Sequence, residues 1–171
     1  MNKNPTLFDD ARMTLDEAKE LSIASLITYS EKYEHWAIAF SGGKDSSATV
    51  TLIAHLIETN VIKKPKSLIV FYADTRLELT PLQHSAMAIL ESLKNKGIET
   101  QIVLPPIDDR FFVYMLGRGV PPPSNTFRWC TSQLKIEPMQ RALEMRAVAL
   151  GMGKMIWSER WQKFIYEGFG K

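Results

Sequence analysis

The sequence predicts an α/β fold: a parallel sheet, doubly wound by helices, in a single domain. Two observations carry that class. Continuous apolar runs of strand length, Trp36–Phe40 and Leu68–Tyr72, read as buried strands. Segments with helical spacing separate and follow them, so that strand, helix, strand, helix and strand succeed one another. That rhythm requires right-handed crossovers and a parallel, helix-covered sheet.

Taken in order, Thr14-Leu15-Asp16-Glu17 is a capping box that opens a helix running to about Tyr33. Its apolar positions Leu15, Ala18, Leu21, Ala24 and Ile27 suit a helix lying on a sheet. After the first strand, residues 48–58 carry Val50, Ile53 and Ile57 on one helical face, flanked by Leu52 and Leu56. The basic turn Lys63-Lys64-Pro65-Lys66 precedes the second strand. Thr80-Pro81-Leu82-Gln83 then predicts a helix start with Thr80 as N-cap, and that helix stops at Gly97. Thr100 to Leu104 is a third strand, closed by Pro105-Pro106. Asp108–Leu116 reads as a short helix ending at Gly117. Pro121-Pro122-Pro123 is too stiff to join a sheet, and a last helix follows Pro138.

The chemistry concentrates where the first strand ends, at Ser41-Gly42-Gly43-Lys44-Asp45-Ser46-Ser47. Two glycines let the backbone fold tightly and leave room for a ligand, while the first N–H groups of the next helix point at it. Lys44 adds charge, and the hydroxyls of Ser41, Ser46 and Ser47 add donors. The result is a phosphate cradle. It is neither a Walker A loop, because Asp45 follows Lys44 and the upstream glycine is missing, nor a G-x-G-x-x-G turn. A tight connection alone would explain the glycines but not the Lys, Asp and Ser around them.

Asp74 and Thr75 end the second strand, on the side where parallel sheets hold ligands. Asp74 either caps a turn or holds Mg²⁺ or a nucleotide hydroxyl, with Asp45 the other carboxylate at the cradle. Farther on, Arg128 and Lys135 bracket Cys130 in a polar, proline-bounded segment. Two cations suit an anionic ligand, and they would also favour the thiolate. Cys130 is open between a reactive thiol and a buried structural cysteine. The aromatic lead-in at Phe111-Phe112 reads as packing rather than a base-stacking platform.

Composition narrows the field. The 171 residues are 45% hydrophobic and 23% charged, an ordinary globular balance, and a net charge of +2 makes no case for nucleic acid. No apolar run approaches membrane-spanning length, and the N-terminus lacks the apolar segment of a signal peptide, so a cytoplasmic location is the default. One cysteine excludes an internal disulfide and an iron–sulfur cluster built from this chain alone. His35, His55 and His84 lack metal-ligand spacing.

The pattern S-G-G-K-D-S at Ser41–Ser46 resembles the PP-loop of the ATP pyrophosphatases. Together with Asp74-Thr75 and with Arg128, Cys130 and Lys135, it is similar to the phosphoadenosine phosphosulfate (PAPS) reductase family. The stretches 111–119 and 127–136 resemble its DndC-like branch, from DNA phosphorothioation systems. This likeness covers roughly residues 36–140. It implies an adenine nucleotide alpha hydrolase-like, Rossmann-like domain at 35–150, after an N-terminal helical segment at 1–34. No cysteine follows Cys130, where PAPS reductases carry their redox cysteine. Against the family, 151–171 looks like an incomplete C-terminal segment of a truncated chain, although Gly151–Arg160 starts something strand-like.

The resemblance implies that ATP, or PAPS, is bound with Mg²⁺ and that ATP is cleaved between its α- and β-phosphates to activate an acceptor in sulfur transfer. Lys44, Asp45, Arg128 and Lys135 would be catalytic, and Ser41–Ser47 with Asp74 and Thr75 would bind the nucleotide. Sulfur-transfer proteins are implied as partners and DNA as an acceptor. The alternatives are thiol-dependent PAPS reduction through Cys130 and a catalytically incomplete nucleotide-binding subunit.

Overall fold

The computed structural model describes residues 13–151 and, as backbone, the strands at 155–158 and 163–166. The chain forms two compact units, Met1–Trp36 with Thr51–Leu68, and Ala37–Val50 with Ile69–Lys171.

In the first unit, α1 spans Leu15–Lys32. The capping box forms as predicted: the Glu17 amide donates to Thr14 Oγ1 at 3.2 Å and the Thr14 amide donates to the Glu17 carboxylate at 2.7 Å. The predicted burial of its apolar face does not occur. No residue of α1 is buried, and Leu15 and Leu21 are 71% and 58% exposed. A weak 3–4 spacing of apolar residues permits burial, but only a partner surface causes it. The core of this unit is Ile53, Ala54, Leu56, Ile62 and Leu68. Ile57, expected on the buried face of its helix, is only half-buried, and Ala54 takes its place.

The second unit contains most of the sheet. Strands β1 (His35–Phe40), β2 (Ser67–Ala73) and β3 (Glu99–Val103) lie in the order β1-β2-β3, and β2 pairs parallel with β3 from Ile69↔Glu99 to Ala73↔Val103. The alternation of strands with α2 (Lys44–Glu58) and α3 (Thr80–Asn95) is the predicted α/β winding. Every residue of β2 after Ser67 is buried, as its unbroken apolar run requires. β1 departs from the prediction. It lies at an edge of the described sheet, with Ala37 and Ala39 exposed and only Phe40 buried. A five-residue apolar run does not distinguish a central strand from an edge strand, because position in the sheet is a long-range property.

Side chains of β2 divide the core by period two. Ile69 and Phe71 pack with Val103, and with Ala142 and Met139 of α5 (Glu137–Ala149). On the opposite side the Tyr72 ring lies 5.6 Å from that of Phe40, centroid to centroid. Helix α3 begins one residue earlier than expected. Leu79 is its N-cap and no side chain caps it, so Thr80 is not the predicted cap, although Pro81 sits in the first turn.

The predicted helix at 108–116 resolves into a 3₁₀ turn, Ile107–Asp109, and a π-helical turn, Val113–Gly117. A second π turn, Ser132–Ile136, joins the short α4 (Trp129–Thr131) to α5. Strands β4 (Met155–Ser158) and β5 (Lys163–Tyr166) pair antiparallel, in accord with the strand-like reading of 151–160. The other residues assigned to the 151–171 and 1–34 segments lie partly outside the described residues.

Candidate functional site

The cradle forms where β1 ends. Helix α2 starts at Lys44, and its first internal bond runs from the Ser47 amide to the Gly43 carbonyl at 2.9 Å. The amides of Gly43, Lys44, Asp45 and Ser46 therefore lie in the turn that an α-helix leaves without internal acceptors. Ser46 staples the turn: its hydroxyl donates to Gly43 O at 3.0 Å, accepts from the Ser41 amide at 3.3 Å and lies 3.1 Å from Ser41 Oγ. With its single proton engaged by Gly43, Ser46 Oγ receives the Ser41 hydroxyl as an acceptor.

Gly42 is required twice over. Its φ of +75° is left-handed, and a Cβ there would stand 3.1 Å from the Ala86 Cβ and 3.5 Å from the Tyr72 ring. The turn is thus pressed onto α3 and the end of β2. Tyr72 underneath is buried, and burial first, then the Glu78 and Asp74 carboxylates, push its hydroxyl above the ordinary tyrosine pKa. Lys44 and Asp45 stand exposed in the first turn of α2.

Asp74 and Thr75 are buried at the end of β2. The Asp74 carboxylate is engaged internally: Oδ1 accepts from the Arg76 amide at 2.9 Å, and Oδ2 lies 3.5 Å from both Gln83 Nε2 and Arg76 Nε. These contacts hold Arg76 at a φ of +63°, an uncommon conformation for a residue with a side chain. Thr75 donates to Glu78 at 3.0 Å. Through these contacts Asp74 caps the turn that follows β2.

A cavity of about 410 Å³ opens beside the cradle, lined by Ala39, Phe40, Ser41 and Ala73 from the sheet and by Lys135, Ile136, Met139, Gln140 and Leu143 from the helical side. It brings Ser41 and Lys135 to one space. Arg128 and Cys130 are not in its lining. Arg128 is exposed, with its Nε donating to the Asn125 carbonyl at 3.1 Å, and Cys130 is a free, half-buried thiol. The segment carrying them is tied down by rings. Trp129 stacks on Phe111 at 5.4 Å, meets Tyr114 at 4.8 Å and donates to the Pro121 carbonyl at 3.1 Å. Gln133 adds a bond to Asp109 Oδ1 at 3.0 Å. Phe111 packs as expected, while Phe112 is 58% exposed.

Sequence reasoning missed the helical wall of the cavity. Ile136, Met139, Gln140 and Leu143 follow the 3–4 spacing of one helix face, so a single amide inside an otherwise apolar stripe was the available signal. Among the described residues no group of three or more His, Cys, Asp or Glu could hold a metal, and no helix is long and apolar enough to cross a membrane.

A parallel sheet wound by helices, with a glycine turn between β1 and α2, makes this an α/β, Rossmann-like domain. Within that class the family can be stated: a model of the phosphoadenosine phosphosulfate reductase domain matches residues 35–154, and the chain belongs to that family. It is also 30% identical over 130 residues to a protein of Methanocaldococcus jannaschii named "Uncharacterized protein MJ0973". The match covers 75% of this chain and 28% of that relative's length.

Proposed function

We propose that the chain is the adenine-nucleotide module of a sulfur-metabolism enzyme that cleaves ATP between the α- and β-phosphates. The observation that carries this reading is the amide-rich turn at Gly43–Ser46, which opens beside an apolar cavity wide enough for a base. The acceptor's oxygen attacks the α-phosphorus, the new P–O bond forms as the bridge to the β-phosphate breaks, and pyrophosphate leaves. The turn amides and the Lys44 ammonium stabilise the departing charge. Lys135, across the cavity from Ser41, holds the α-phosphate or the incoming group. Arg128 serves the acceptor side.

A magnesium ion, in this reading, arrives with the polyphosphate. Asp74 is engaged by Arg76 and Gln83, which leaves Asp45 as the cradle carboxylate placed to meet an ion that arrives with the polyphosphate. Such an ion would neutralise phosphate charge. Incubation of purified protein with ATP is expected to yield AMP and pyrophosphate; ADP and phosphate as products would rule the mechanism out. A DNA acceptor is supported by the DndC-like motifs at 111–119 and 127–136.

The family match favours a second reading, reduction of PAPS. Two thiols would give up two electrons and form a disulfide, releasing sulfite and adenosine bisphosphate, with Cys130 as the thiol in this chain. Sulfite release that requires thioredoxin and disappears in Cys130→Ala would select it. Tight ATP binding without turnover, restored by a partner protein, would instead select the role of nucleotide-binding subunit.

A further inference from the structure

Strand β1 ends the described sheet, so one row of its main-chain N–H and C=O groups meets no other strand among the described residues. Such an edge is a template for a further strand, and proteins that keep one free load it with charge or proline. The two ends of this sheet differ in that respect. β3 carries Glu99, Thr100 and Gln101, and Glu99 accepts from the Arg146 guanidinium at 2.9 Å. β1 offers Trp36-Ala37-Ile38-Ala39-Phe40, with neither a charge nor a proline. One of its faces is bare as well. Helix α5 packs through Ala142 and Met139 against Ile69, Phe71 and Val103 of the neighbouring strands, and Ala37 and Ala39 stay exposed. Across the cavity from Ala39, Ile136 and Leu143 are exposed too.

We infer that β1 pairs antiparallel with β1 of a second copy of this chain, about a twofold axis through Ile38, so that the two sheets join edge to edge. The strand is complementary to itself. In this register Ile38 meets its own copy, Trp36 meets Phe40 and Ala37 meets Ala39. Directly opposite residues share a face, so the large side chains pair on one side of the joined sheet and the alanines on the other. Aromatic and β-branched pairs of this kind stabilise a ladder, and no like charges are opposed. A different partner strand would have to supply the same alternation, whereas a second copy carries it already. The alanines of both copies then form one apolar floor, bordered on each side by Ile136 and Leu143.

Sedimentation of the full chain at micromolar concentration should give twice the 19.5 kDa of one copy. Ala37→Glu puts a charge at an exposed position outside the cavity lining and should weaken the pair by about 100-fold, because like charges brought together disfavour an interface. The same charge on the other edge strand, Gln101→Glu, should leave the dimer intact. In a Cys130→Ser background, Ile38→Cys should be linked between copies by a short bis-maleimide, since residues on the axis hold their Cβ atoms close together. Val61→Cys, exposed in the turn after α2, should not be linked. A monomeric wild type, a dimer that withstands Ala37→Glu, one that Gln101→Glu disrupts, or Ile38→Cys that stays unlinked would each overturn the inference.

Discussion

The cradle and the Arg128–Ile136 segment are both offered to an anion, yet they are built in opposite ways. The cradle is local. Its glycines, its staple from Ser46 to Gly43 and Ser41, and its helix start fall within seven residues. The second segment is held from outside by Phe111, Tyr114, Pro121 and Asp109, residues eight or more positions away. The first is therefore stiff by backbone geometry. The second is stiff only while its ring contacts and the Gln133 bond persist, and its π turn at Ser132–Ile136 shows a helix adjusting to those contacts. Anchoring a phosphate requires little more than a turn, whereas placing a second cation across a cavity requires tertiary packing.

The contrast breaks hardest at Gly42. Gly42→Ala forces a side chain into a left-handed position against Ala86 and should cost about 1–3 kcal/mol in urea unfolding. The displaced amides should weaken ATP by about 100-fold, as misplacement on this scale does. The environment of Trp129 should be untouched, and a shift of its fluorescence in Gly42→Ala would show that the two regions are coupled.

Trp129→Ala probes the other side. Loss of two ring contacts and the bond to Pro121 should cost about 2 kcal/mol. Hydrogen exchange should accelerate at 129–136 and stay unchanged at 41–47.

Charge removal sharpens the comparison further. Lys44→Ala and Lys135→Ala should each weaken ATP by about 10–100-fold, the range for hydrogen bonds to a charged group. Because both side chains are exposed, unfolding free energies should move by less than about 0.5 kcal/mol. Equal stability with unequal affinity loss would rank the two cations.

The smallest effect lies beneath the cradle. Tyr72 has its pKa raised in the folded protein, so its neutral form is favoured there. The associated stability is complete below the unfolded tyrosine value of about 10 and is lost as pH rises from there through the folded value. Denaturation midpoints should fall in that alkaline window, and Tyr72→Phe should flatten the decline.

Much of this molecule was legible in its residues taken in order. The capping box at Thr14 and Glu17, the buried run of β2 and the strand–turn–helix at Ser41–Ser47 follow from backbone sterics and short-range hydrogen bonds, which a sequence states directly. Distant partners decided the rest. The apolar stripe of α1 is not buried, β1 lies at an edge of the described sheet, Asp74 is engaged by Arg76 and Gln83, and one face of α5 lines a cavity opposite residues of the sheet. Periodicity says which side chains share a face. What that face meets depends on residues tens of positions away, and that is a property of packing alone.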